Sequence, residues 1–284
     1  MKRLHILCVP IAVMASAFLG AVTTGCSDEP DVAPLYNEQD SLALCAIMAT
    51  APKPKDGVEQ WVEGDVHTLT KYFTVVWGDV EGEPSKRIIR LEMLTPRDIY
   101  KTDGTISDAI GELTALTQLV ISGINWTGDM PNSMKNLENL RELRIVDTDL
   151  QSLPDSMNLR HCEDLEIHAN TNFRSLFHGI EDLGVDIPSW WPKFVNVNIV
   201  FNNFTGAIPN FNRPNIIHAD LTENLFTSVD YESILEYASF NANYNYIRNE
   251  IPENMMYPGI LKRLYVAVGI QKYGELPQLS KDSM

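Results

Sequence analysis

One spaced pattern of apolar residues recurs along most of the chain, and it limits the possible folds more than any other feature. Each copy has apolar residues at its first, fourth and sixth positions. Five of the eight also have one at the eleventh, and the best copies have asparagine at the ninth. Copies begin at Ile88, Leu116, Leu140, Cys162, Phe194, Ile216, Tyr237 and Leu261, of which the first, fourth and last fit least well. Most starts lie roughly 20–30 residues apart, and such a period indicates a solenoid of stacked units.

The spacing inside one copy predicts its local structure. In the copy that begins at Phe194, Val197 and Ile199 flank a polar residue, as a short strand with one buried side requires. One unit cannot bury its apolar side alone, so neighbouring units are expected to stack and share one core. We therefore predict an α/β solenoid, with the strands in one parallel sheet and turns and short helical segments on the other side.

The copies resemble the leucine-rich-repeat family, whose pattern is L-x-x-L-x-L-x-x-N-x-L. Gly206 with Ile208-Pro209, and Ile251-Pro252 after a later copy, are similar to the G-x-I-P phrase of the subclass common in plant receptors. The resemblance covers 88–284, about eight repeats, and implies a horseshoe whose short parallel strands line a concave face that usually binds ligands. The family's asparagine is absent at Pro96, Ile124, Thr148 and Gly269, so we expect its ladder of side-chain amides to be incomplete.

The residues before the first repeat, 37–87, are expected to form an N-terminal helical cap. The apolar residues of 37–50 have helical spacing, and a β-rich run then leads to Trp77 and Gly78. This order is similar to the cap of plant-type leucine-rich-repeat proteins, although the cysteine pair usual there is absent. A cap is also expected physically, because the first repeat would otherwise expose its apolar edge.

The last repeat is expected to be a strand that contains Leu261, Leu264 and Val266. No amphipathic segment follows it, so the edge of this strand is predicted to be open. Open strand edges pair readily with other chains. Either a partner covers this edge, or the sequence is part of a longer gene product. The stretch from Thr171 to Asp186 lengthens one repeat, and its role stays open.

The first residues have the organisation of an export signal. Lys2 and Arg3 precede an apolar run, and small residues lead to Gly25-Cys26. The segment 1–25 resembles a bacterial lipoprotein signal, which implies that Cys26 is lipidated and that 26–36 is an acidic tether. Asp28 and Glu29 resemble the tag that exports some lipoproteins to the cell surface. We therefore expect an outer-membrane lipoprotein at the cell surface, with the periplasmic face as the alternative.

The charge balance excludes one class of partner. The chain has 38 acidic and 22 basic residues, a formal charge of −16. Nucleic acids are held mainly by Lys and Arg that neutralise phosphates, so a polyanion of this kind is not expected to bind them. Anionic membrane surfaces repel it as well, so the membrane is expected to hold it only through the lipid.

The expected concave face supplies the candidate binding residues. The third, fifth and seventh strand positions point outward, and their middle concentrates hydrogen-bonding side chains suited to a basic protein surface or a glycan. The candidate ligand-binding residues are Glu142, Arg144, Asp164, Glu166, His168, Asn196, Asn198, His218, Asp220, Asn241 and Tyr265. Outward strand residues are also polar merely because they face water, and that alternative stays open.

No sequence motif indicates catalysis. The chain lacks H-E-x-x-H, G-x-S-x-G and a phosphate-binding glycine loop, so we predict no catalytic residues, metal or cofactor. Cys45 and Cys162 are separated by more strands than a disulfide can bridge, and we expect both to be small core residues. The sequence therefore predicts a binding protein. The expected partner is a protein, with a glycan or self-assembly through the open C-terminal edge as alternatives.

Overall fold

The computed structural model describes residues 35–55, 73–95, 100–154, 161–168, 170, 175–177, 195–208 and 218–274. The predicted export signal, Cys26 and nearly all of the tether lie outside these residues. Most of the 171–186 insertion also lies outside them. The predictions for those segments therefore stay predictions.

One strand of the N-terminal segment and seven strands of the repeats form one sheet of eight strands among the described residues. Its strands are β1 Phe73–Gly78, β2 Arg87–Leu94, β3 Gln118–Ser122, β4 Glu142–Val146, β5 Asp164–His168, β6 Asn196–Val200, β7 His218–Asp220 and β8 Ser239–Asn241. They lie side by side in chain order. β1 is antiparallel to β2, and every later neighbour pair is parallel.

The register of the sheet matches the register of the sequence repeats. Glu142 pairs with Asp164, Asp164 with Asn196, and Asn196 with His218. These residues all stand at the third position of their repeats, so the alignment of the copies from Ile88 to Tyr237 is confirmed. The apolar fourth and sixth positions point to the other side, where Leu143 and Ile145 are fully buried. One continuous core results.

Buried asparagines at the ninth position connect the later repeats. Asn170, Asn202, Asn224 and Asn245 are each at most 4% exposed. The side-chain amide of each donates to a backbone carbonyl in the preceding repeat, as Asn202 Nδ2 does to Ile167 at 2.8 Å. In the earlier repeats the ladder is interrupted, as predicted, and hydroxyl groups replace part of it. Thr148 Oγ1 donates to Asn170 Oδ1 at 2.7 Å.

The eighth position of the repeat has a left-handed backbone. Gly123 has φ +115°, and a Cβ there would lie 2.0 Å from Thr95 Oγ1. Phe201, Glu223 and Tyr244 occupy the same position with φ of 57–59°. Bulky side chains rarely adopt this conformation. Each such residue costs roughly 1–2 kcal/mol, which the surrounding ladder has to offset.

A helix and an ion pair join the N-terminal segment to the first repeat. Helix α1, Glu38–Thr50, begins after Asn37, whose side chain accepts from the Asp40 N–H. Asp40 is fully buried and accepts from Arg87 Nη2 at 2.9 Å and from the Ile88 N–H at 2.7 Å. The hydrogen bond from Arg87 to Asp40 is the main cause that raises the pKa of Arg87, against an opposing effect of burial.

Short elements form the side of the solenoid opposite the sheet. These are the 3₁₀ helices Asp108–Glu112, Asn132–Asn136 and Glu253–Met255, the one-turn helix α2 Tyr231–Ile234, and the strand pairs Thr127–Gly128 with Asp149–Leu150, Ser152–Leu153 with Ser175–Phe177, and Thr205–Ala207 with Leu225–Ser228. Helix α1 packs on the first 3₁₀ helix, which packs on the second. None of the described helices has the length and apolar character to cross a bilayer.

The prediction of a final strand with an open edge is wrong. Residues Pro258–Val268 form helix α3, with Pro258 in its first turn. Leu264, Ala267 and Val268 are its buried residues, and this i, i+3, i+4 spacing is helical. The Ala242 N–H just after β8 donates to the Ala267 carbonyl at 2.7 Å, so α3 lies against this end of the sheet. Because this edge is covered, the hypothesis of assembly through an open C-terminal edge loses its basis.

Two further predictions need correction. The ladder does not stop at Gly269, because Gln271 Nε2 donates to the Ala242 carbonyl at 3.1 Å in place of an asparagine. Cys45 is not a free core residue: it is half-buried and disulfide-bonded, and the other cysteine lies outside the described residues. Cys162 is free and fully buried, so the two cysteines do not pair with each other, as predicted.

Candidate functional site

The outward side chains of β2 to β8 form one continuous surface, which we call the polar face. All but one of the predicted candidates lie on it, namely Glu142, Arg144, Asp164, Glu166, His168, Asn196, Asn198, His218, Asp220 and Asn241. Tyr265 is the exception, because it lies on α3 and not on a strand. It is 65% exposed there.

Ion pairs organise the N-terminal part of the polar face. Arg144 Nε lies 2.5 Å from Glu142 Oε1 and 3.4 Å from Glu166 Oε2. Arg90 pairs with Glu92 on β2. Burial raises the pKa of Glu92, but hydrogen bonds from Arg90 and Thr74 and the positive charges of Arg90 and Arg144 outweigh it, so that the pKa lies below its usual value. The arginines therefore neutralise much of the negative charge here.

Amides and hydrogen-bonded carboxylates form the C-terminal part of the polar face. Asn196 Nδ2 donates to Asp164 Oδ1 at 2.6 Å, and Asp220 Oδ1 accepts from the Thr222 N–H at 3.0 Å. Asn198 and His218 are exposed, and their side chains make no hydrogen bond to another described residue. Groups of this kind are available to hydrogen-bond a ligand.

Exposed apolar side chains follow the C-terminal ends of the later strands. Phe201 and Tyr244 are 54% and 43% exposed, and the rings of Phe201 and His168 have centroids 5.8 Å apart. Val266 and Ile270 are 70% and 54% exposed and lie beside the last strand. We call Phe201, Tyr244, Val266 and Ile270 the apolar border. This border was not predicted from the sequence, although the aromatic residues before Asn202 and Asn245 were a visible signal.

No metal-ligand cluster and no activated free thiol is found in the described part of the chain. No group of three or more described His, Cys, Asp or Glu side chains is arranged to hold a metal ion. Burial, and then the negative charge of Asp164, raise the pKa of Cys162 to about 12, so its thiol is a poor nucleophile. Two open depressions of about 450 and 400 Å³ lie by α1 and by the N-terminal ends of β2 to β4, away from the polar face.

Comparison with known proteins reaches the level of the fold. No family model and no curated protein matches the chain. Among solved structures, PEPR1–AtPEP1 matches with a TM-score of 0.56 and 17% identity, over 83% of this chain and 32% of that one. The leucine-rich-repeat ectodomain of the receptor kinase SOBIR1 from Arabidopsis thaliana matches with a TM-score of 0.43 and 18% identity, over 75% and 90% of the two chains. A leucine-rich-repeat protein of Leptospira interrogans matches with a TM-score of 0.38 and 20% identity, over 62% of this chain and 48% of that one.

The match to PEPR1–AtPEP1 has a TM-score above 0.5, and at 17% identity it shows the shared fold alone. This chain spans about a third of the length of that one. The chain has the fold of leucine-rich-repeat proteins, and the resemblance seen in its repeats is confirmed.

Proposed function

We propose that this chain is a non-catalytic lipoprotein that binds a protein ligand through the polar face. The carrying observation is the in-register array of polar side chains on β5 to β8, in which Asp164, Glu166 and Asp220 are half-buried. Asn198 and His218 of this array are exposed, and their side chains hydrogen-bond to no other described residue. Six inter-strand steps of ~4.8 Å make the face from β2 to β8 about 29 Å long. An extended polypeptide of roughly nine residues would span that length.

The proposed architecture places this face on the concave side of a horseshoe, with α1 and β1 as its N-terminal cap. The contacts of Asp40 with Arg87 and Ile88 support the cap, because they join α1 to the first repeat strand. A face of this kind is open, whereas most enzymes enclose their substrates in a concave pocket. This difference supports binding over catalysis.

The proposed anchor is a lipid on Cys26, with residues 26–36 as the tether and the cell surface as the location. Lipidation uses the Cys26 sulfur and signal cleavage removes Cys8, so the disulfide of Cys45 is absent from the lipidated protein. The support is the order of Lys2-Arg3, apolar run and Gly25-Cys26 in the sequence. Protease digestion of intact cells tests the location, with a periplasmic protein as control. Cleavage of the repeats while the control survives is expected. Protection until lysis would place the domain inside the envelope.

A library of random 12-residue peptides, displayed on phage and selected on the immobilised full chain, tests the binding face. We expect the selected peptides to bind at least tenfold more weakly to the triple variant Glu166→Gln, Asn198→Ala, Asp220→Asn. The matched control is Glu138→Gln, Asn136→Ala, Asp129→Asn, which changes exposed residues of the same types away from the polar face. Equal binding to wild type and to the face variant would refute the proposal.

A glycan is the second candidate ligand, and the exposed amides of Asn196 and Asn198 favour it because they are uncharged hydrogen-bonding groups. Salt dependence separates the two ligands. Binding of a charged protein to this face weakens at high ionic strength. A neutral glycan would bind equally well at low and high salt, and free sugar would compete with it.

A further inference from the structure

The apolar border continues from the repeats onto the terminal helix. The Tyr244 N–H donates to the Ile270 carbonyl at 2.6 Å, and Asn243 Nδ2 donates to the Val266 carbonyl at 2.9 Å. These bonds hold the C-terminal end of α3 beside the end of β8. Exposed apolar side chains therefore lie next to the polar face at Tyr244, Val266 and Ile270. Phe201 lies further along the same edge, beyond the ion pair of Glu223 with Lys272 at 2.9 Å. The bonds given above make Tyr244, Val266 and Ile270 neighbours, and exposed apolar surface of this kind marks an interaction site.

The charge of the adjoining strands indicates what could cover this border. Among the outward residues of β5 to β8, the charged side chains are Asp164, Glu166 and Asp220, and none of these outward residues is Lys or Arg. The nearest face cation, Arg144 on β4, already pairs with Glu142 and Glu166. A cationic partner would therefore be complementary to this part of the face.

We propose that β5 to β8 and the apolar border together bind an extended polypeptide segment whose side chains alternate between basic and apolar. This inference rests on the proposed function and names the chemistry of its ligand. Successive side chains of an extended segment point to opposite sides. One side would therefore meet Asp164, Glu166 and Asp220 while the other packs on Phe201 and Tyr244. The three steps from β5 to β8 span about 14 Å, which roughly five extended residues cover.

Three capped eight-residue peptides test this ligand chemistry against the full chain by fluorescence anisotropy. The first alternates Lys and Leu, the second alternates Glu and Leu, and the third groups the four Lys before the four Leu. We expect the first peptide to bind at least tenfold more tightly than either of the others. Equal affinity for the grouped peptide, or for the acidic one, would overturn the inference.

Substitutions in the border locate the apolar contacts. Phe201→Asn and Tyr244→Asn should each weaken binding of the alternating Lys–Leu peptide about tenfold, as loss of a central aromatic contact does. Asparagine tolerates the left-handed backbone of these positions, so the variants should fold. Tyr257→Asn is the matched control. It removes a 66% exposed tyrosine at the other end of α3, about 13 Å along the helix from Val266, and should bind like wild type.

The outcome also separates this inference from the proposed function. If both border variants bind the peptide like wild type while the triple face variant loses binding, the border has no role and the inference is refuted, whereas the binding face stands. If the triple face variant also binds every selected peptide like wild type, the proposed function fails as well.

Discussion

The N-terminal and C-terminal parts of the sheet share one backbone pattern but differ in side-chain chemistry on both surfaces. From β2 to β4 the outward carboxylates Glu92 and Glu142 pair with arginines, and the ninth repeat position carries Thr148 in place of asparagine. From β5 to β8 the outward amides and carboxylates include Glu166, which pairs with Arg144 of β4, and Asp164 and Asp220, which have no arginine partner among the described residues. Buried asparagines form a ladder inside.

Under the proposed function, the first part of the sheet stabilises the fold and the second part binds the ligand. The charged side chains of the first part are engaged with each other, so a ligand would have to break those pairs before using them. In the second part the buried ladder holds the backbone, and outward groups such as Asn198 are left for a ligand. Left-handed residues other than glycine occur in both parts, at Asp147 in the first and at Phe201, Glu223 and Tyr244 in the second, but the two aromatic ones lie in the second part.

The largest expected effect is at the buried ion pair of the first part. Asp40→Ala leaves the guanidinium of Arg87 buried without its main partner, and we expect it to cost about 3–5 kcal/mol of unfolding free energy. Chemical denaturation measures this loss. The double variant Asp40→Leu, Arg87→Met should recover much of it, because no unpaired charge remains. A loss below about 1 kcal/mol would show that the pair does not stabilise this end.

The ladder of the second part comes next. Asn224→Leu removes the amide that donates to the Ile199 and Leu221 carbonyls, and leaving these buried groups unpaired should cost about 2–4 kcal/mol. Thr148→Val, at the same repeat position in the first part, should cost only about 1 kcal/mol. Denaturation of both variants under the same conditions compares the two. Equal losses would remove the energetic distinction between the two parts.

A surface ion pair should matter much less. Arg144 is about half exposed, so Arg144→Met should change the unfolding free energy by less than about 1 kcal/mol. It should instead strengthen binding of the alternating Lys–Leu peptide, because Glu142 and Glu166 lose their cation. Anisotropy titration measures this gain. Weaker binding would mean that Arg144 itself contacts the ligand.

The smallest expected effect is the pH dependence contributed by Glu92. Its pKa is lowered in the folded chain, so its stabilising contribution is present above the usual value of 4.5 and is lost as the pH falls through the folded value. Wild type should exceed Glu92→Gln in unfolding free energy by at most about 1 kcal/mol at pH 7. The difference should shrink below pH 4.5. A difference that grows on acidification would contradict the sign of the shift.

Local spacing predicted the repeats well and the last element badly. The copies that begin between Ile88 and Tyr237 align in the structure as they do in the sequence, because each register is defined by several apolar positions at once. Residues after Pro258 fit a strand pattern at Leu261, Leu264 and Val266. They fit a helix better through Leu264, Ala267 and Val268. Short apolar runs satisfy both periods, and only packing decides between them.

The candidate site was predictable as a surface but not as a set of partners. Alternation along each strand placed Asp164, Glu166 and Asn198 outward, and the structure confirms their neighbours across the sheet. Alternation could not show that Arg144 forms ion pairs with both Glu142 and Glu166, or that the ring of Phe201 lies beside that of His168. Those contacts depend on side-chain conformation across strands that are distant in sequence.

The sequence by itself determined the solenoid, the order and register of its strands, and the side of the sheet that each strand residue faces. It could do so because these properties follow from the period of apolar residues within short segments. Tertiary structure alone decided that α3 covers the last strand, that Gln271 continues the asparagine ladder, and that Phe201 and Tyr244 border the polar face. These three features depend on which surfaces come into contact after the repeats stack. The free energy of that packing is shared among residues far apart in the chain, so no short segment encodes it.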